Sequence, residues 1–153
     1  MSKLNKECVL RLISLVKDLD TANLYRGKGT EIMRNAVNSY LRLIFEAELP
    51  IDEETFIYYL DILIDNLKHQ NTDLQVGACE AIKVLNENYQ TLLESKTLIE
   101  NIKQKLEHMI KSSIVDENIY VTRGYTMALP FFNLTNLVIS YTDVLDCFAS
   151  SNL

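Results

Sequence analysis

Only four glycines and two prolines punctuate the 153 residues of this chain. Tight turns draw on both: glycine reaches backbone angles closed to other residues, and proline presets φ. An all-β sandwich or barrel needs a turn signal about every 8–12 residues. The scarcity of turn formers therefore predicts long helices with few corners. Hydrophobic residues make up 48% and charged residues 24%, which places the chain among folded proteins. Its length suffices for one continuous core.

Apolar residues spaced by three and four mark the faces of those helices. Leu4, Cys8, Leu12, Leu15 and Leu19 form the first, over about Leu4 to Leu19, and Asp20 to Gly29 reads as a loop. Thr30 is the expected cap of a second helix with the face Ile32, Met33, Ala36, Val37, Tyr40, Leu41 and Ile44, ending before Pro50. Asp52 caps a third, with Ile51 placed as a staple on Phe56 and the face Phe56, Leu60, Leu63, Ile64 and Leu67. Thr72 with Gln75 reads as a capping box for a fourth helix, whose face is Leu74, Ala78, Cys79, Ile82 and Leu85. Thr97 with Glu100 reads as another, ahead of Leu98, Ile102, Leu106, Met109 and Ile110. A sixth helix is predicted from about Glu117 to Leu129, bent or stopped by Pro130, and a seventh from Tyr141 to Ala149.

The second, fourth and sixth helices resemble one another. Ala36, Ala78 and Gly124 fall 42 and then 46 positions apart, and Leu63 and Leu106 of the third and fifth are offset by 43. Two helices per period of about 40–47 residues is the HEAT and armadillo pattern. A single helix pair cannot bury its apolar stripe, so neighbours share an elongated core. The predicted fold is all-α: a HEAT/armadillo-type α-solenoid of about three stacked helix pairs. Residues 1–153 are read as one repeat segment of a longer solenoid. A small residue at the same place in each second helix is expected to let neighbours approach. An ordinary helical bundle is the rival that spacing alone leaves open.

The search for chemistry yields no catalytic, cofactor-binding or metal-ligating residues. The net charge of −6 comes with no basic stripe, so neither nucleic acid nor an anionic membrane surface is expected as a partner. Cys8, Cys79 and Cys147 are too few and too scattered for a disulfide framework or a zinc site. No run approaches the roughly 18 apolar residues of a membrane span. The start has no secretory signal pattern, and a reducing, cytoplasmic setting is expected. The sequon at Asn133 is idle in that setting.

His69 and His108 are each expected near the end of a first helix, where a cation suits the helix dipole. Arg26-Gly27-Lys28-Gly29-Thr30 departs from a phosphate-binding loop, because position 22 is Ala and Gly29 separates Lys28 from Thr30. Asp52, Glu53 and Glu54 read as a stabilised helix first turn. Asp61 and Asp65 read as a solvated outer pair. Of the adjacent Tyr58 and Tyr59, only one can face the core, which leaves the other as a contact candidate.

Two stretches carry a resemblance. Tyr25-Arg26-Gly27-Lys28-Gly29, followed by Met33-Arg34-Asn35-Ala36-Val37 and then Leu49-Pro50, resembles a segment of the tubulin-folding cofactor D (tubulin-specific chaperone D) family. Thr122-Arg123-Gly124-Tyr125, leading through Ala128-Leu129 to Pro130, resembles a later helix of the same family. Gln75-Val76-Gly77-Ala78-Cys79-Glu80-Ala81-Ile82 fits the helix between them. Here Leu129 runs directly into Pro130, without that family's Gly-x-Leu step. The family protein is a much longer solenoid, and the match covers a late part of it.

The resemblance implies a chaperone segment that acts as a scaffold for β-tubulin capture and α/β-tubulin assembly. It implies tubulin-folding cofactors E and C and an Arf-like small GTPase as further partners, and a cytoplasmic, cytoskeleton-associated location. In that family the assembled complex stimulates GTP hydrolysis by tubulin, although no catalytic group is expected in this chain. Tyr25, Arg26, Gly27, Gly29, Arg34, Arg123 and Gly124 carry the resemblance, and a structural role is expected for each. A HEAT or armadillo adaptor unrelated to tubulin is the alternative, and a small enzyme a third class.

Overall fold

The computed structural model describes residues 6–21, 31–115 and 118–132. Among these residues six α-helices pack against one another: α1 (Lys6–Thr21), α2 (Glu31–Glu46), α3 (Glu53–Leu67), α4 (Thr72–Asn88), α5 (Lys96–Val115) and α6 (Ile119–Ala128). Two 3-10 turns, Leu92–Glu94 and Leu129–Phe131, follow α4 and α6. Leu4, Tyr25, Arg26, Gly27, Gly29, the Thr30 cap, Glu117, Cys147, the Asn133 sequon and the seventh helix lie outside the described residues.

The caps explain where the helices begin. Asp52 is the N-cap of α3 and accepts from the Thr55 amide at 2.7 Å. The two capping boxes do not form. Asn71, extended at φ −77° and ψ 119°, caps α4 by accepting from the Leu74 amide, and Thr72 is already helical. Ser95 takes the cap position of α5, its hydroxyl accepting from the Leu98 amide at 3.4 Å. The observed caps lie one and two residues ahead of the expected ones, because Asn and Ser cap as well as Thr and stand first in the chain. Asn118 caps α6. At the other end, α2 stops at Glu46, and Glu48 takes a left-handed φ of 54° two residues before Pro50. Pro130 does not stop α6 abruptly; the chain tightens into the 3-10 turn instead.

Phe56, Leu60, Leu63 and Leu67 of α3, Leu74, Ala78, Cys79, Ile82 and Leu85 of α4, and the whole predicted face of α5 are buried, while Ile64 is half-buried. Two faces are corrected. In α1 the inward side chains are Leu12, Ile13 and the fully buried Val16, while Cys8 and Leu15 are exposed. In α2, Val37, Leu41, Ile44 and Phe45 are buried, but Ile32 is 81% exposed and Met33 is 40% exposed. Ile32 stands nine residues before Leu41, which at about 100° per residue puts it on the opposite side of the helix. Ala36 is only half-buried, so of the repeated small residues Ala78 and Gly124 are the ones in the interior.

Hydrogen bonds establish how the helices lie. Asn71 at the start of α4 donates to Glu31 at the start of α2 (3.3 Å), and Asn88 at the end of α4 donates to the Phe45 carbonyl at the end of α2 (2.8 Å). Gln75 bonds the Tyr120 carbonyl at the start of α6 (2.7 Å), and Asn86 bonds the Phe131 carbonyl beyond its end (3.2 Å). Starts meet starts and ends meet ends, so α2, α4 and α6 run side by side in parallel with α4 in the centre. On the other side of the molecule, Lys105 of α5 bonds Asp61 of α3 at 2.6 Å. No helix among the described residues is long and apolar enough to cross a membrane.

Candidate interaction surface

The motif residues within the described chain converge on one place, the turn between α3 and α4. Arg34 reaches it from α2: its Nη1 donates to Asp65 Oδ2 (3.1 Å) and to Asn66 Oδ1 (2.7 Å). Asn66 is fully buried and donates to Asn38 Oδ1 (2.9 Å), and Asn38 donates to the Leu74 carbonyl (3.1 Å). Arg123 arrives from α6: its Nε donates to Gln75 Oε1 (2.7 Å), its Nη2 to the Gln70 carbonyl (2.9 Å), and its guanidinium lies 5.5 Å from the centre of the Tyr120 ring. Gln75, placed in a capping box by the sequence, is instead a buried hub that also donates to the Leu67 carbonyl at 2.7 Å. Gly124 lies so close to α3 that a Cβ there would overlap the Leu67 carbonyl oxygen. Arg34 and Arg123 thus make hydrogen bonds within the molecule, and Gly124 packs against the end of α3.

Other expected groups fall as follows. Asp61 and Asp65 are not bare: Asp61 holds Lys105, and Asp65 holds Arg34 and, at 3.6 Å, Lys68. His69 lies just past the α3 C-cap, where its Nδ1 accepts from the Asn71 amide (3.0 Å) and its Nε2 stands 3.9 Å from Glu31. His108 is exposed, about two turns before the end of α5 rather than at it, because that helix runs on to Val115. Tyr59 is fully buried against Phe45, and Tyr58 is half-buried beside it. Burial raises the Tyr59 phenol above its ordinary range, with the Asp52 charge adding to the effect. Burial also pushes the Cys79 thiol up to about 11, whereas Cys8 is exposed. Among the described residues no group of three or more His, Cys, Asp or Glu side chains is arranged to hold a metal ion.

Among the described residues, the outer face of the parallel helices α2, α4 and α6 is open to solvent. A shallow cleft of about 60 Å³ lies there between α2 and α4, lined by Asn35, Asn38, Ser39, Arg42, Gly77 and Glu80. That is far below the roughly 300–1,000 Å³ of a small-molecule site. Beside it, each helix exposes a branched aliphatic side chain near its N-terminal end: Ile32 (81%), Val76 (37%) and Ile119 (71%), with Met33 (40%) next to Ile32 on α2. The branched residues stand 44 and 43 positions apart, one per helix pair. The apolar spacing of α2 assigns Ile32 to its core face, a face broader than the other described helices cover. The recurrence of an aliphatic residue out of phase with the buried stripe was the signal available. No family model, no curated protein and no solved structure matches this chain.

Proposed function

We propose that this chain is a HEAT-type α-solenoid segment that works by binding protein, as part of a tubulin-folding chaperone of the cofactor D kind. The row Ile32, Val76 and Ile119 carries the binding part. Exposed aliphatic side chains lower the cost of association when a partner covers them, and repeat solenoids bind along such extended faces. Hydrogen bonds joining residues about one period apart support the solenoid: Asn88 with Phe45, Gln75 with Tyr120, Asn86 with Phe131 and Lys105 with Asp61 span 43, 45, 45 and 44 positions.

The Arg34 and Arg123 motifs support the partner. By their resemblance, the segment helps capture β-tubulin and assemble the heterodimer with cofactors E and C and an Arf-like small GTPase, in the cytoplasm and near the cytoskeleton. Its part in the GTPase stimulation of that complex is positional rather than catalytic. Crosslinking of the tagged chain in cells, followed by mass spectrometry, tests this. Recovery of β-tubulin and those cofactors is expected. Recovery of a different set of proteins, with no tubulin or cofactor among them, leaves the unrelated adaptor as the function.

A further inference from the structure

On the basis of that reading of the α2, α4 and α6 face, we propose that its occupant is a basic amphipathic helix of the partner. The helix lies across the stack with its apolar residues seven positions apart. Helices in contact have axes about 8–10 Å apart, so Ile32, Val76 and Ile119 offer one aliphatic side chain per step of about that length. An α-helix returns residues i and i+7 to one face after about 10.5 Å, close to the wider end of that spacing, whereas an extended strand returns side chains to one face about every 6.6–6.8 Å, short of its narrower end.

Charge decides which helix fits. The exposed stripe of α4 carries Asp73, Glu80 and Glu87 against Lys83, and on α2 the Arg42 guanidinium is already shared between Glu46 (2.9 Å) and Glu80 (3.0 Å). The excess of carboxylates favours a cationic polar face on the partner and steers its approach. Glu80 also stands on the rim of the cleft between α2 and α4, where a Lys or Arg side chain from such a helix would end.

Fluorescence anisotropy with the full chain tests the proposal. The probe is a labelled synthetic helix of about 21 residues, three seven-residue steps, with Leu at the repeating apolar positions and Lys and Arg opposite. Saturable binding that weakens as NaCl rises is expected, and a peptide of the same composition with the Leu positions scrambled should bind at least about tenfold more weakly. The double variant I32S/I119S should show a similar loss at an unchanged melting temperature, because both side chains are largely exposed in the native chain. The charge variant E80K/E87K keeps the aliphatic row and should lose the preference for a basic peptide. Equal binding of the scrambled peptide, or wild-type binding by I32S/I119S, overturns the proposal. If β-tubulin is captured through this face while no helical peptide binds, the inference fails and the function stands. If the peptide binds and tubulin does not, the inference stands and the tubulin partner falls.

Discussion

The central helix α4 is joined to α2 on one side and to α6 on the other, and the two joints are built differently. The α2 joint is the broader one, with aliphatic packing backed by the chain from Arg34 through Asn66 and Asn38 to the Leu74 carbonyl. It has slack: Arg34 Nε is buried with no hydrogen-bond partner among the described residues, and a Cβ on Gly77 would stand 3.3 Å from Asn38 Nδ2, a contact a small shift relieves. The α6 joint is narrower and is tied by the amides of Gln75 and Asn86 and by one missing side chain. Gln75 serves the Leu67 carbonyl, the Tyr120 carbonyl and Arg123 at 2.7 Å each, while Gly124 lets α6 meet the end of α3. A joint made of area tolerates local change; a joint made of a few exact contacts does not.

Substitution at the two glycines is the sharpest way to break that contrast. G124A should cost about 3–5 kcal/mol in urea unfolding or detach α6, because a backbone carbonyl cannot yield as a side chain can. A native-like stability for G124A would remove the distinction between the joints. Q75A should follow at about 2–4 kcal/mol, since it strands the buried Leu67 carbonyl, the part-buried Tyr120 carbonyl and the Arg123 guanidinium together. Alkaline pH probes the other joint and the interior of α4. Burial pushes the Cys79 thiol to about 11 and the Tyr89 phenol, which donates to the Leu49 carbonyl beyond α2, to about 12. In the unfolded chain these groups lose their protons at the ordinary values of 9.0 and 10.0, so the stability they lend is present below pH 9 and declines as pH rises through the folded values. The loss by pH 10.5 should be about 2–3 kcal/mol, the larger share from Cys79, read as a lower urea midpoint than at pH 8.

Smaller effects complete the series. G77A should stay within about 1 kcal/mol of the native chain, because the helix propensity gained offsets the mild crowding at Asn38. R42A, which breaks an exposed ion-pair cluster, should change stability by less than about 0.5 kcal/mol. A loss at G77A as large as that at G124A would mean that the α2 joint has no slack. Thiol labelling at pH 8 gives an independent reading: Cys79 should react at least about 100-fold more slowly than exposed Cys8, as its raised pKa and burial require.

Much of the secondary structure was legible from local chemistry. The Asp52 cap, the end of α2 ahead of Pro50 and the buried stripes of α3, α4 and α5 follow from preferences that act within a few residues. The misreadings share a cause. Gln75 looks like a capping partner over four residues, yet buried carbonyls on α3 and α6 draw it inward. Ile32 looks like core by composition, yet among the described residues no helix covers that side of α2 and Ile32 is exposed. Arg34 and Arg123 look alike as motif residues, and nothing in their spacing says that they meet the same turn from opposite sides.

The sequence by itself determined that the chain is helical, roughly where its helices lie, and that residues recur at about 42–46 positions. These are short-range matters of turn chemistry, capping and periodicity. Only the tertiary structure decided which amide becomes a hub, which glycine is irreplaceable and which aliphatic residues remain outside. Those depend on what another helix, some 40 residues away in sequence, places opposite each side chain.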